Sequence, residues 1–246
     1  IIYFRRKKHI VTFSPKDICF DLSLAKELVS NGLPSAGQQV SVHFSNLCMT
    51  GMANSFGLVS AAAYGIAVKL DSFAILPCSA VNDAVASFTA QNLGAGKSDR
   101  ALKAEKDGKK LALVYVCMVF ITIFFFADKL AGIFTGEAAV IAEASGYLRI
   151  ACFMYFLYAM VYPSQGFLKG SGNSAFVLVN SLCVQYVIKI PIAYVLSHMT
   201  PLALRGIAVT WILSPTFSVV TYGRYIKKEK WKKRWNNKNM TSSQEE

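Results

Sequence analysis

Lys69, Asp71, Asn82 and Asp83 lie within one otherwise apolar stretch of the chain. An Asp or Lys near the centre of a membrane-spanning helix costs about 2.5–3.5 kcal/mol, against about −0.3 to −0.6 kcal/mol for each large aliphatic residue. Such groups are therefore expected to face away from lipid, where they can hold a proton, bind a cation or form an ion pair. Helical phase gives a second test. At about 100° per residue, Tyr64, Asp71, Cys78, Asn82 and Thr89 fall on one narrow stripe. Lys69 and Asp71 are two residues apart and point away from each other. Asp71 is thus expected to face a polar interior, and Lys69 to reach toward the outer surface.

Other stretches offer partners. Ser181, Gln185 and Lys189 recur at helical spacing on one face. Lys189 is expected to counter Asp71 or Asp83, either as a structural ion pair or within an ion-coupling network. Gln38, Gln39, Ser41, His43, Ser45 and Asn46 form a run too polar for a helix wholly in lipid. Tyr155, Tyr158, Tyr162 and Gln165 share a face; they serve as packing, or stack on flat or cationic ligands in a cavity. The candidate ion-coupling residues are Asp71, Asp83, Lys189 and Asn82. The candidate cavity-lining residues are Gln38, Gln39, Ser41, Tyr64, Tyr155, Tyr158, Tyr162 and Gln185.

Catalytic patterns are missing from the sequence. There is no H-E-x-x-H and no G-x-S-x-G. Gly94-Ala95-Gly96-Lys97-Ser98 ends like a phosphate-binding loop, but the required first glycine would fall at Gln91. The 6 cysteines are scattered without a CxxC pair, and His9, His43 and His198 are dispersed. Apolar buried thiols are expected, with no metal site, no cofactor and no enzymatic reaction.

The elements that must position these residues are long apolar segments, about 34–58, 59–93, 111–134, 138–168, 175–196 and 202–226. Each reaches the roughly 20 residues needed to cross a bilayer as a helix. Hydrophobic residues make up 54% and charged residues 16%, where a soluble domain carries about a quarter charged. The net charge of +12 falls in alternate gaps. Lys97 to Lys110 lie between the second and third segments, Lys169 between the fourth and fifth, and Arg224 to Lys238 at or after the end of the sixth. That is the positive-inside pattern of a six-span protein of the cell membrane with both ends of this chain cytoplasmic, and nucleic acid is not an expected partner. Trp231 and Trp235 are expected at the lipid interface.

Ile1-Ile2-Tyr3-Phe4 running into Arg5-Arg6-Lys7-Lys8 reads as the end of a preceding span, so the chain is expected to be the C-terminal part of a longer protein. Ser14-Pro15 opens an amphipathic helix expected to end at Asn31-Gly32. The organisation is then an inter-lobe segment over 1–31, a six-helix membrane lobe over 32–226 and a basic tail over 227–246. Pro77, Pro163, Pro191 and Pro215 lie inside spans and are expected to bend them. That bending is either ordinary membrane-helix composition or a device for alternating access.

Several of these stretches resemble the multidrug and toxin extrusion (MATE) family. They are Gly32-Leu33-Pro34, Asn54-Ser55-Phe56-Gly57, Ala63-Tyr64-Gly65-Ile66-Ala67, Leu70-Asp71-Ser72-Phe73, Gln91-Asn92-Leu93-Gly94-Ala95-Gly96-Lys97, Gly166-Phe167-Leu168-Lys169-Gly170-Ser171-Gly172 and Ile190-Pro191-Ile192-Ala193-Tyr194. The resemblance implies an all-α integral membrane protein whose six transmembrane helices form the C-terminal lobe of a twelve-helix transporter. It implies a partner N-terminal lobe, and exchange of sodium ions or protons for organic, often cationic amphipathic compounds. Several family members place a glutamate in the first helix of this lobe and an aspartate in its fourth. Here the first position falls near Val42 and the fourth segment has no central acid, so that sodium site is not carried over. Asp71 remains as a family-like acid. The alternatives are a lipid-linked oligosaccharide flippase of the same superfamily, which would need a more cationic cavity, and a polytopic scaffold, which would need no embedded acid.

Overall fold

The computed structural model describes residues 22–232, and no β-strand occurs among them. Helix α1 spans Leu22–Asn54, α2 Leu58–Gly94 and α3 Ser98–Gly132. A short pair follows, α4 over Ala138–Ala151 and α5 over Met154–Gly170. The next column is α6 over Ser174–Leu182, a π-helical stretch over Cys183–Lys189 and α7 over Ile190–His198. Helix α8, Leu204–Lys227, completes the bundle. Four columns (α2, α3, α6 to α7, and α8) are long and apolar enough to cross a membrane, and α4 with α5 makes a fifth, bent by 50°. The α1 helix has the length, at 33 residues. Its polar run lowers its apolarity, as suits a helix with one face on a wet interior. The protein is an all-α, multi-pass membrane protein, as the sequence predicts.

Two local expectations are corrected. The first helix does not end at Asn31-Gly32: α1 continues through Gly32 and Pro34. Termination at a glycine needs a left-handed residue, and Gly32 is not among the positive-φ glycines Gly57, Gly96 and Gly172. The fourth segment is not one straight span. It breaks at Cys152-Phe153, where the Phe153 N–H reaches back only to Ile150 O and the Cys152 thiol donates to Arg149 O at 3.1 Å. A side-chain donor has replaced a backbone one, which is a recognised origin of a kink. Pro77 sits inside a continuous α2, where the Tyr115 hydroxyl donates to the neighbouring Ala74 carbonyl at 3.2 Å. The expected opening at Ser14-Pro15 and the segments 1–21 and 233–246 lie outside the described residues.

The glycine motifs are helix stops. At the end of α2, Gly96 N–H donates to Leu93 O and Lys97 N–H to Asn92 O, both at 2.8 Å, with Gly96 at φ 72°. At the end of α5 the pattern repeats: Gly172 N–H donates to Lys169 O and Asn173 N–H to Leu168 O, with Gly172 at φ 76°. Both are Schellman caps, in which a residue without Cβ takes the left-handed position. They leave Lys97 and Lys169 at one end of the bundle. The same end holds the close of α8, where Tyr225 Oη donates to Asn173 Oδ1 at 3.0 Å. Trp231 is buried there, edge-on to Phe167 at 5.1 Å, and not at the lipid surface as its sequence position suggests.

Small residues let the helices meet. Ala63, Ala67, Ala112, Ala127, Ala144, Ala159 and Ala208 are buried in the core, the pattern expected where lipid supplies no hydrophobic drive and close packing holds helices together. The tightest approach is α2 on α5: a Cβ at Gly166 would strike the Asn82 carbonyl, and one at Gly170 the Ala86 carbonyl. Leu58, Phe73, Val114, Phe125, Ile133 and Val187 point outward as the apolar surface. The thiols follow no single rule: Cys78 and Cys152 are buried as expected, while Cys117 is exposed.

Candidate functional site

The stripe read on α2 is buried as a unit. Tyr64, Asp71, Cys78, Asn82 and Thr89 are all inside the bundle. Asp71 is 9% exposed and accepts a hydrogen bond from the Tyr155 hydroxyl of α5. Tyr64 stands about two turns away on the same stripe and meets Tyr147 edge-on at 5.6 Å. Lys69, two residues from Asp71, is exposed and lies 5.8 Å over the Phe134 ring. A carboxylate facing inward and a lysine facing outward is the division that helical phase predicts.

Two chambers open beside this stripe. One, about 340 Å³, is lined by Asp71, Tyr64, Asn46 and Ser72 among others. The second, about 210 Å³, is lined by Gln38, Gln39, Asn82, Asp83, Lys169, Gln185 and Lys189. Val42, Ser79, Tyr158, Tyr162 and Trp211 line both, so the chambers share one wall. Val42 is the position where the family resemblance places a glutamate; an apolar side chain borders both chambers there. The wall joins α1, α2, α5 and α8, and the π-helical stretch closes the second chamber.

Of the predicted residues, Asp71 and Tyr64 reach the first chamber. Asp83, Asn82, Lys189, Gln38, Gln39 and Gln185 reach the second, and Tyr158 and Tyr162 reach both. Ser41 and Tyr155 do not line either. Ser41 is buried off the α1 cavity face with no partner for its Oγ among the described residues. Tyr155 is buried behind Asp71, so it holds the carboxylate in place and does not offer a ring to the chamber.

The pairing expected of Lys189 is not formed. Ion pairs among the described residues join Lys109 to Glu105, Lys110 to Asp107, Arg149 to Asp128 and Lys232 to Glu229. Lys189 instead donates to Asn46 Oδ1 at 3.1 Å, and its Nζ lies 3.4 Å from the centre of the Trp211 ring. Asn82 donates to the exposed Asp83 at 2.9 Å. Gln165 Nε2 donates to Gln38 Oε1 at 3.2 Å, tying α5 to α1 across the chamber.

Trp211 and Glu105 were not singled out by the sequence, and Asn46 was named only within a polar run. Trp211 sits in an ordinary apolar segment, and only the fold brings it onto Lys189. Asn46 is one of six polar residues in a run whose working face is set by neighbours. Glu105 is buried, accepts from Ser164 Oγ at 2.7 Å and pairs with Lys109. Its i, i+4 spacing to Lys109 was the available signal.

The described residues form a helical membrane bundle with two polar chambers and an inward-facing acid, the class of multi-pass integral membrane proteins. The MatE family model matches residues 34–195, and the chain belongs to that family. It is 27% identical over 233 residues to the probable multidrug resistance protein YoeA of Bacillus subtilis strain 168, covering 92% of this chain and 50% of that protein. It is 23% identical over 212 residues to the probable multidrug resistance protein NorM of Thermotoga maritima, covering 86% of this chain and 46% of that one. The fold superposes with TM-score 0.84 and 21% identity on an outward-facing multidrug resistance MATE family transporter of the MOP superfamily, covering 94% of this chain and 52% of that one. The chain spans about half the length of the curated relatives it matches.

Proposed function

We propose that this chain is the C-terminal lobe of a cation-coupled antiporter, using sodium ions or protons, that exports organic compounds by alternating access. The observation that carries this reading is Asp71, buried, oriented by Tyr155 and open to the chamber side of α2. A membrane-embedded acid at a wet boundary binds a cation when exposed to one side and yields it to the other. Aromatic walls from Tyr158, Tyr162 and Trp211 suit flat amphipathic bodies. Relatives of about twice the length support a second lobe facing these chambers, with the site at the joint.

The test is efflux of a fluorescent organic cation from a drug-sensitive host expressing the full-length protein, with sodium and proton gradients imposed separately. Collapse of one gradient is expected to stop efflux, and Asp71→Asn to make the residual efflux indifferent to both. Efflux that ignores both gradients in the unaltered protein would overturn the coupling.

A further inference from the structure

Apart from the two chambers, a groove of about 510 Å³ runs between α2 and α3. It shares no lining residue with either chamber. A missing side chain sets its floor. Gly108 lies so close to α2 that a Cβ there would meet Val85 Cγ2 at 2.8 Å and Val81 Cγ1 at 3.4 Å. Ala84 and Ala104 are too small to fill the space above that contact, and Phe88 and Leu111 stand exposed beside it. The hydrocarbon region holds no water to occupy an apolar trough on the outer face of a bundle, so acyl chains must fill it.

One end of the groove is charged. Arg100, Lys103 and Asp107 recur at helical spacing along its α3 wall. Arg100 stands in the first turn of α3, and Leu111 lies about 16 Å further along the axis. The cations therefore mark one end and the apolar side chains the other. The charged end is the one that the Lys and Arg pattern assigns to the cytoplasm, where the leaflet carries anionic phospholipids.

These cations have no acid of their own. The ion pairs among the described residues involve neither Arg100 nor Lys103. Asp107, the acid of the groove, is answered by Lys110 at 3.5 Å, and Lys110 does not line the groove. An arginine fork with a lysine beside it is a donor set suited to phosphate.

We propose that the groove between α2 and α3 binds one anionic phospholipid of the cytoplasmic leaflet, its phosphate between Arg100 and Lys103 and an acyl chain along Val81, Val85, Phe88 and Leu111. The inference goes beyond the export reading and does not rest on it. A free phosphate would leave the apolar length of the groove unfilled. A choline headgroup would bring its own cation against Arg100 and Lys103.

The test uses the full-length protein purified in detergent, with lipid retention read by native mass spectrometry. One copy of phosphatidylglycerol is expected to be held about tenfold tighter than phosphatidylcholine of the same acyl chains. Arg100→Gln together with Lys103→Gln is expected to bring that ratio close to one. Lys97→Gln together with Lys106→Gln removes the same charge from exposed positions outside the groove and is expected to keep it. Ala84→Trp fills the trough, leaves both cations in place and is expected to weaken retention of both lipids about tenfold. Equal retention of the two lipids by the unaltered protein overturns the proposal, as does a ratio that survives loss of Arg100 and Lys103. An equal fall in the Lys97 and Lys106 variant would also overturn it, by reducing the effect to surface charge. So would undiminished retention in Ala84→Trp, or displacement of phosphatidylglycerol by an equal concentration of inorganic phosphate. Melting temperatures of the variants separate loss of lipid from loss of the fold.

Discussion

The Tyr155 hydroxyl donates to the Asp71 carboxylate across the joint of α5 and α2, although 84 residues separate the two in sequence. A hydroxyl given to a carboxylate fixes where the carboxylate's remaining lone pairs point. It also couples α2 to the lower half of the bent α4–α5 column, so a cation arriving at Asp71 is felt by a second helix.

Removing either group should therefore disturb ion use before it disturbs folding. Asp71→Asn keeps the side-chain volume and is expected to abolish gradient dependence of efflux. Tyr155→Phe removes one hydrogen bond to a charged group, about 1.5–3 kcal/mol, and should weaken apparent ion affinity by about tenfold. The double variant should be no worse than Asp71→Asn alone, because both act through one contact. Efflux rate against ion concentration, for all four proteins, decides this; additive losses would show that Tyr155 acts elsewhere.

The glycines divide into two kinds, with different expected costs. Gly96→Ala and Gly172→Ala place a Cβ on a left-handed residue, each costing about 1–2 kcal/mol. Gly166→Ala and Gly170→Ala instead drive a Cβ into backbone carbonyls of α2, which cannot rotate away. Overpacking of that kind costs about 1–3 kcal/mol or more and should also shift α2 and its Asp71. Detergent melting temperatures should fall for all four, while gradient-dependent efflux falls below the level of remaining folded protein only for Gly166→Ala and Gly170→Ala.

How much of this was legible in the sequence depended on whether one helix sufficed. The stripe through Asp71 is a property of α2 alone, and a period of 3.6 residues recovers it. The Schellman glycines were visible as motifs, though not as caps. The α1 face was harder. Gln38, Val42 and Asn46 follow one cavity-facing row, while Ser41 and Ser45 turn toward packing. A run polar on both faces does not say which row meets the chamber. Lys189 failed differently: the π-helical turn breaks the regular phase after Leu182, and its true partner Trp211 comes from another helix. The bend at Cys152-Phe153 carries neither proline nor glycine to announce it.

Glu105 marks a structural ion pair away from the chambers. It is buried, with Ser164 and Lys109 on the same oxygen, and Lys109 is partly exposed. Removing Lys109 leaves a buried carboxylate held by the Ser164 hydroxyl without its counter-charge, whereas removing Glu105 leaves a neutral hydroxyl and a lysine that water can reach. Lys109→Ala is thus expected to cost more than Glu105→Ala, about 3 kcal/mol against about 1 kcal/mol. Chemical denaturation in mixed micelles reads both. A larger loss for Glu105→Ala would mean that the contact to Ser164, and not the charge pair, holds α3 against α5.

The basic residues predict which end of the bundle meets the cytoplasm. Lys97 to Lys110 lead into and begin α3, and Arg224 to Lys232 close and follow α8; the fold gathers both at the end where Trp231 covers Phe167. The connections 55–57, 133–137 and 199–203 lie at the other end, where Ser55 meets His198 at 3.2 Å. Translocation retains segments rich in Lys and Arg on the cytoplasmic side. In a background without native cysteines, Asp99→Cys and Glu229→Cys should resist a membrane-impermeant maleimide in intact cells and react fully after permeabilisation. Glu137→Cys should react in intact cells. All three positions lie in or next to connections between helices, so a failure to label cannot be blamed on burial in the core. Were Asp99→Cys and Glu229→Cys to report opposite sides, the order from α3 to α8 would contain an odd number of crossings where the fold has an even one, and the chambers, the inward acid and the six-column bundle would all have to be redrawn.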